Sequence, residues 1–232
     1  MGNTFKVRII LPAINEEKNV VRVIPQIKRN GYKDILVVDG NSVDKTAEYA
    51  EKLGAKVIRQ KGKGKGNALR QGFEDSRFDF DAVIILDADG SMSPQELAVF
   101  VDAIRGGADI AKGSRFIAKG GSKDFSLIRR VGNTLLTFTF NFLFLTRYTD
   151  LCYGYMAFSK NAINKLIPAL ISTGFEIETE ICTKATLLGM VVKEVPSFED
   201  LRYSGVSNLN TFRDGTRIMG VILKTFIEGI KK

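Results

Sequence analysis

Short apolar runs recur through the first half of the chain, each followed by a polar or glycine-rich turn and then by a stretch of helical character. This rhythm restricts the fold more than any other feature, because alternating strand and helix signals build a parallel sheet flanked by helices. The runs are Val7 to Leu11, Ile35 to Val38, Lys56 to Ile58, Ala82 to Leu86 and Ile110 to Lys112. Several are rich in Val or Ile, as strands buried on both faces should be. Gly31 and Gly54 stand where left-handed helix C-caps belong, and Ser93-Pro94-Gln95-Glu96 reads as a capping box that opens a helix from Pro94 to Arg105. Beyond Lys119-Gly120-Gly121-Ser122-Lys123, which reads as flexible, the pattern turns irregular. No internal repeat or low-complexity linker divides the 232 residues, so a single α/β domain is expected.

Hydrophobic residues make up 44% and charged residues 26%, enough apolar side chain for a sizeable core. The net charge of +8 comes from 34 Lys and Arg spread along the chain among 26 Asp and Glu. That spread argues against a dedicated nucleic-acid surface and fits a phosphate-rich ligand or an anionic membrane face, with a solvated basic surface as the plain alternative. There is no histidine, which removes Ser-His-Asp and Cys-His nucleophiles and leaves carboxylates, hydroxyls, Lys and Arg for chemistry. Cys152 and Cys182 have no metal-type spacing and read as reduced core residues. The segment Met1 to Ile14 lacks the order of a signal peptide, so a cytoplasmic location is expected.

In open parallel sheets ligands bind beyond the carboxyl ends of the strands, where loops converge and helix N-termini point inward. The residues there are Pro12, Asn15 and Glu16, then Asp39 to Asp44, Gly62 to Asn67, and Asp87 to Gly90. Asp87 and Asp89 end a buried strand one residue apart, a pattern that can hold a hard divalent cation together with substrate phosphates. A lone Asp at such a place would be a turn or cap residue. Gly62-Lys63-Gly64-Lys65-Gly66-Asn67 reads either as an anion cradle, with Lys65 and Gly66 at its helix start, or as a mobile surface loop. It is not a Walker loop, since Asn67-Ala68 stands where Lys-Ser/Thr is required. Asp39 is placed to meet a ribose or base, while Asp44 reads as a helix cap.

The succession Pro12-Ala13-Ile14-Asn15-Glu16, Val38-Asp39-Gly40-Asn41-Ser42, Asp87-Ala88-Asp89, Gly113-Ser114-Arg115-Phe116 and Glu194-Val195-Pro196 resembles family 2 glycosyltransferases. Within them it is most similar to dolichol-phosphate mannose synthases and polyprenyl-phosphate glucosyltransferases, and the likeness runs from about Val7 to Asn208. The resemblance implies a GT-A fold: a mostly parallel Rossmann-like sheet flanked by helices, with a nucleotide-sugar half over 1–117 and an acceptor half over 118–232. It implies that Pro12, Asn15, Glu16, Asp39, Lys65, Gly66, Asp87 and Arg202 border the donor, and that Asp87 and Asp89 form a D-x-D site for Mg²⁺ or Mn²⁺. Arg115, Arg129 and Arg202 match basic positions that line the diphosphate and the acceptor phosphate. Asp150 is the candidate base or orienting acid, and Asp89, Asp150, Arg115 and Arg129 form the expected catalytic set.

The implied reaction is inverting transfer of a hexose from UDP-glucose or GDP-mannose to a polyprenyl or dolichyl phosphate. A hydroxyl acceptor would need a base, whereas a phosphate is already an anion. Sixteen uncharged residues separate Arg130 from Arg147 and include Phe138, Phe140, Phe142 and Phe144. That run is shorter than the about 20 apolar residues a spanning helix needs. Residues 127–147 therefore read as an amphipathic segment for a bilayer interface, flanked by Arg129, Arg130 and Arg147, or as a core helix or strand. A peripheral membrane location and a membrane subunit as further partner are compatible with it. Glu176, Glu178 and Glu180 read mostly as solvated, and Ile218 to Ile230 as a helix packed on the domain. A sugar nucleotidyltransferase and a non-catalytic nucleotide-sugar-binding subunit are the alternatives. The first would carry its glycine- and arginine-rich loop after the first strand, and the second would not need both aspartates.

Overall fold

The computed structural model describes residues 5–77 and 79–230. Its first strands follow the apolar runs: β1 (Val7–Ala13), β2 (Asp34–Asp39), β3 (Lys56–Arg59), β4 (Ala82–Ile85) and β5 (Ile110–Ser114). Helices α1 (Glu17–Arg29), α2 (Thr46–Lys52), α3 (Lys65–Ser76) and α4 (Leu97–Arg105) connect them. The second half adds β6 (Gly121–Ser122), α5 (Leu127–Phe144), β7 (Met156–Ser159), α6 (Lys160–Leu166), α7 (Ile177–Leu187), β8 (Val192–Pro196), β9 (Phe198–Glu199) and α8 (Thr211–Ile230).

Seven strands form one sheet in the order β3-β2-β1-β4-β7-β5-β8. All neighbours are parallel except β7, which runs antiparallel to both β4 and β5. The strand order changes direction between β1 and β4, so their carboxyl ends diverge around a crevice suited to a ligand. The two apolar faces are covered separately. One is packed by α1 and α4 through residues such as Ile24, Leu97 and Phe100, the other by α3 and α5 to α8 through Phe73, Phe140, Ile181 and Ile222. Because β7 and β8 complete the sheet begun by β1 to β5, the two halves share one core.

Several local expectations change. The strand β3 is exposed or half-buried along its length because it lies at the sheet edge, not between neighbours. Gly31 and Gly54 do take left-handed conformations, at φ 90° and 72°. The capping box does not form: Pro94–Glu96 is a 3₁₀ turn and Ser93 caps nothing. Its intended partner Glu96 instead accepts from the Ser197 hydroxyl and the Phe198 N–H at 2.9 Å, tying α4 to the second half. The segment Lys119–Lys123 is ordered, since β6 pairs in parallel with β9 in a separate small sheet. Cys182 is buried and Cys152 half-buried, and burial pushes both thiols up to about 12, so neither is a reactive thiolate at neutral pH.

Helix α5 resolves the period-two phenylalanines. Ser126 caps it by accepting from the Arg129 N–H at 3.3 Å, and Leu145 ends it in a left-handed conformation at φ 53°. Asn133, Leu136, Thr137 and Phe140 face the core. Ile128, Val131, Leu135, Phe138 and Phe142 recur at three- and four-residue spacing and are each more than half exposed, so a second apolar stripe faces outward. Among the described residues no helix is long and apolar enough to cross a membrane.

Candidate functional site

The loops after β1 and β2 hold one another through side chains, and Arg202 links the loop after β4 to Glu16. Asn15, at φ 56°, accepts from the Val43 N–H at 3.0 Å, and its own N–H donates to the Ser42 hydroxyl at 2.9 Å. Pro12 lies within β1, one residue from its end and paired with Val38. Asp39 is buried and accepts from the Ser42 N–H through both oxygens, at 3.3 and 3.2 Å. Its carboxylate therefore shapes the turn that would face a nucleoside. Asp44 stands one residue before the N-cap position of α2, which is Lys45, and accepts from the Thr46 N–H at 3.0 Å and the Glu17 N–H at 3.2 Å. Burial opposes its ionisation, but these hydrogen bonds hold its pKa below the ordinary value.

The two aspartates after β4 each meet a cation already. Asp87 contacts the Lys65 ammonium at 2.7 Å, and Asp89 contacts the Arg202 guanidinium at 3.0 Å. The other oxygen of Asp89 accepts from the Ser91 N–H at 2.9 Å and the Ser91 hydroxyl at 2.8 Å. Glu16 joins from the start of α1, 3.6 Å from the Arg202 guanidinium. Burial pushes the Glu16 carboxyl above its usual range, against the pull of Asn19 and Arg202, and the charges of Asp89 and Asp87 push the same way as burial. Arg202 is carried on a strap anchored by the Tyr203 N–H to the Asp89 carbonyl at 2.9 Å, with the Tyr203 ring seated against Gly90.

Arg202 Nε and Nη1 are buried without any hydrogen-bond partner. Two desolvated donors of a permanent cation beside paired carboxylates leave room for an anionic oxygen ligand, since an unpaired buried polar group is costly. The donor set at Asp87 and Asp89 also fits a divalent ion: the ligands are hard carboxylate oxygens, and Lys65 and Arg202 occupy places where positive charge is stabilised. Among the described residues no group of three or more His, Cys, Asp or Glu forms a complete cage. An ion here would take its remaining ligands from substrate phosphate and water. Beside this cluster a groove of about 620 Å³ is lined by Gln26, Arg29, Gly90, Ser93, Asp200 and Tyr203 among others.

The glycine-rich loop is exposed from Lys61 to Gly64 and packed at its helix start against the segment before α7. The Gly66 N–H donates to the Thr173 carbonyl at 2.9 Å, so this amide is committed within the protein. A Cβ on Gly64 would lie 2.3 Å from the Thr173 oxygen, and one on Gly66 would lie 2.4 Å from the Ser172 oxygen. The glycines thus let the segment before α7 seat directly on the loop. Lys65 turns inward between Asp87 and Glu178, 2.6 Å from the latter. Burial disfavours its ammonium, but the two carboxylates outweigh that and hold its pKa above the ordinary value.

Arg115 and Asp150 form a buried ion pair. Asp150 has no exposed surface; it accepts from Arg115 Nε at 2.7 Å, Arg115 Nη2 at 3.0 Å and Asn133 Nδ2 at 3.1 Å. Arg115 also meets Glu199 at 2.9 Å, and its guanidinium lies 4.0 Å from the Phe125 ring centre and 4.5 Å from that of Tyr153. This buried pair ties β5, α5 and β9 together. Arg129 is partly exposed in the first turn of α5 and pairs with Asp124 at 3.2 Å. Glu176, just before α7, and Glu178 and Glu180 in its first turn are buried, not solvated. Glu176 accepts from the Gly174 N–H, Glu180 from those of Ile171 and Ser172, and Glu178 holds Lys65. Their acidity suggested solvation, and only the helical register of α7 reveals the burial. Glu194 is a further residue whose part was not legible: it accepts from the Thr149 and Asp150 N–H groups and clamps that loop.

The fold and sequence have clear counterparts. The chain is 34% identical over 208 residues to glycosyltransferase AglJ of Haloferax volcanii, covering 89% of this chain and 67% of that protein. It is 29% identical to polyprenol monophosphomannose synthase of Mycolicibacterium smegmatis, covering 98% of this chain and 88% of the relative. Among solved structures, glucosyl-3-phosphoglycerate synthase of Mycobacterium tuberculosis, in complex with Mn²⁺, uridine diphosphate and glucosyl-3-phosphoglycerate, superposes with a TM-score of 0.76 at 18% identity. That match covers 96% of this chain and 80% of the other, and it supports the GT-A-like fold. The sequence profile of Glycosyl transferase family 2 matches residues 8–167. The chain is thus a member of glycosyl transferase family 2, built on a seven-stranded, mostly parallel GT-A-like sheet.

Proposed function

We propose that this glycosyltransferase moves a hexose, with inversion, from a nucleotide diphosphate sugar such as UDP-glucose or GDP-mannose to a polyprenyl or dolichyl phosphate. The observation that carries the acceptor assignment is the outward apolar stripe of α5, from Ile128 to Phe142, which begins beside Arg129 and Arg130. Apolar residues flanked by cations suit a bilayer interface with its phosphates, which supports a peripheral position on the cytoplasmic membrane face. Relatives named polyprenol monophosphomannose synthase and dolichol-phosphate mannosyltransferase support the same reading.

On this reading residues 1–117 hold the donor and residues 118–232 the acceptor. A divalent Mg²⁺ or Mn²⁺ held by Asp87 and Asp89 would supply positive charge at the diphosphate. Arg202 directs its unpartnered Nε and Nη1 to phosphate oxygens, and Glu16, Asn15 and Asp39 hold the loops that border the nucleoside. The bond from the anomeric carbon to the diphosphate breaks with its electron pair leaving on the diphosphate, while an acceptor phosphate oxygen bonds the opposite face of that carbon. An anionic acceptor needs no base, in keeping with an Asp150 already engaged by Arg115 and Asn133.

The test is a transfer assay offering labelled UDP-glucose and GDP-mannose with a polyprenyl phosphate and with small hydroxyl acceptors. Product on the lipid phosphate is expected; product only on hydroxyl acceptors would overturn the assignment. In the same assay Arg129→Ala is expected to cut acceptor use roughly tenfold, the worth of one hydrogen bond to a charged group, with donor hydrolysis little changed. Equal losses in both would place Arg129 on the donor.

A further inference from the structure

We propose that Glu178, acting through Lys65, is a positioning residue that keeps the Asp87 carboxylate correctly turned for the divalent cation. The inference rests on the reading that Asp87 and Asp89 hold that cation. Lys65 Nζ lies 2.7 Å from Asp87 Oδ1, 3.0 Å from Asp87 Oδ2 and 2.6 Å from Glu178 Oε1. Contact with both Asp87 oxygens fixes the rotation of that carboxylate. An ammonium devoted to Asp87 alone would neutralise it and compete with a metal ion. Glu178 on the far side divides the ammonium between two carboxylates, so the trio keeps one net negative charge.

The surroundings are built to hold this arrangement. The Lys65 side chain is 10% exposed and that of Glu178 is 9% exposed, so water contributes little screening. Gly154, on the approach to β7, leaves space that a side chain would fill: a Cβ there would lie 2.1 Å from Glu178 Oε1 and 3.0 Å from Lys65 Nζ. The Ser172–Thr173 backbone, seated on Gly64 and Gly66, presses the Lys65 loop against the start of α7. Three segments far apart in sequence therefore converge on one ammonium, and its only described carboxylate partners are Asp87 and Glu178.

The full chain is titrated with Mn²⁺ alone, free ion being read from its electron paramagnetic resonance signal. Glu178→Gln is expected to weaken Mn²⁺ binding about tenfold, because one unit of negative charge is lost at short range in a poorly screened site. Glu178→Asp, which keeps the charge, is expected to stay within about threefold of the wild type. The double variant Lys65→Met/Glu178→Gln removes cation and anion together, and its affinity is expected to return to within about threefold as well. A purely structural role predicts the reverse, with lower melting temperatures but unaltered Mn²⁺ affinity in Glu178→Gln. That result, or a double variant that binds no tighter than Glu178→Gln, overturns the proposal; should Glu178→Gln fail to fold, the double and Glu178→Asp variants decide it by the same limits. Absence of Mn²⁺ uptake by the wild type would instead remove the metal reading itself, and the positioning role with it.

Discussion

Asp89→Asn is expected to leave the fold intact and to lower donor turnover by roughly a thousandfold, the several kcal/mol that charge stabilisation of a leaving group supplies. An amide in this position can still accept from the Ser91 N–H and hydroxyl, which now hold Asp89 Oδ1 at 2.9 and 2.8 Å. It cannot offer an anionic oxygen to a hard cation, nor balance the Arg202 guanidinium 3.0 Å away. The strap bearing Arg202 has independent anchors, including the Tyr203 N–H on the Asp89 carbonyl and Tyr203 against Gln26, so the melting temperature should change by only a few degrees. The measurement is hydrolysis and transfer of the donor across a Mn²⁺ titration, alongside a thermal melt. Turnover within about threefold of the wild type would remove Asp89 from the site.

Such a prediction was accessible from the sequence because β1, β2 and β4 announce themselves. Their apolar runs are long or β-branched, and the acids and amides that close them fall on one edge once the sheet is parallel. The strand β7 had no such signal. It is four residues, Met-Ala-Phe-Ser, without a β-branched side chain, yet it sits at the middle of the sheet because β4 and β5 need a partner between them. Helix α5 was ambiguous for another reason: phenylalanines at period two satisfy a strand template as well as two faces of a helix. The Ser126 cap and the inward Leu136 and Phe140 resolve it, and only then does the outward stripe stand apart.

Within the site, what stayed illegible is what depends on distant partners. Lys65 and Glu178 are separated by 113 residues, and Arg115 and Asp150 by 35. A lysine in a glycine-rich loop carries the same local signal whether it faces phosphate or a buried carboxylate. The difference lies in how closely the Ser172–Thr173 backbone approaches, which the glycines permit but do not announce. The partners of Arg115 were hidden in the same way: its place after a strand end says nothing of the two aromatic faces and two carboxylates that surround it.

That burial makes Asp150→Ala the most destabilising single change expected in this chain. Removing one member of a buried pair leaves the other charge under-compensated, at a cost of about 3–5 kcal/mol, and Arg115 would keep only Glu199. For a domain of this size that corresponds to a fall in melting temperature of roughly 10 °C or more. Burial alone would raise the Asp150 carboxyl, but the Arg115 hydrogen bonds and charge, with Lys112 adding to them, hold it below the ordinary Asp value. A carboxyl lowered by folding stabilises the folded state above its unfolded pKa, and that contribution fades as pH falls through the lowered folded value. The deficit of Asp150→Ala relative to wild type should therefore be full at neutral pH and shrink on acidification below the usual carboxylate range. Replacing both partners, as in Arg115→Met/Asp150→Ala, should recover part of the loss because the buried guanidinium leaves with the carboxylate, although Glu199 gives up its contact with Arg115. Thermal melts of the three proteins between neutral and acid pH check this directly. An Asp150→Ala variant that melts like the wild type yet has lost transfer would return Asp150 to the chemistry and undo its assignment as a structural anchor.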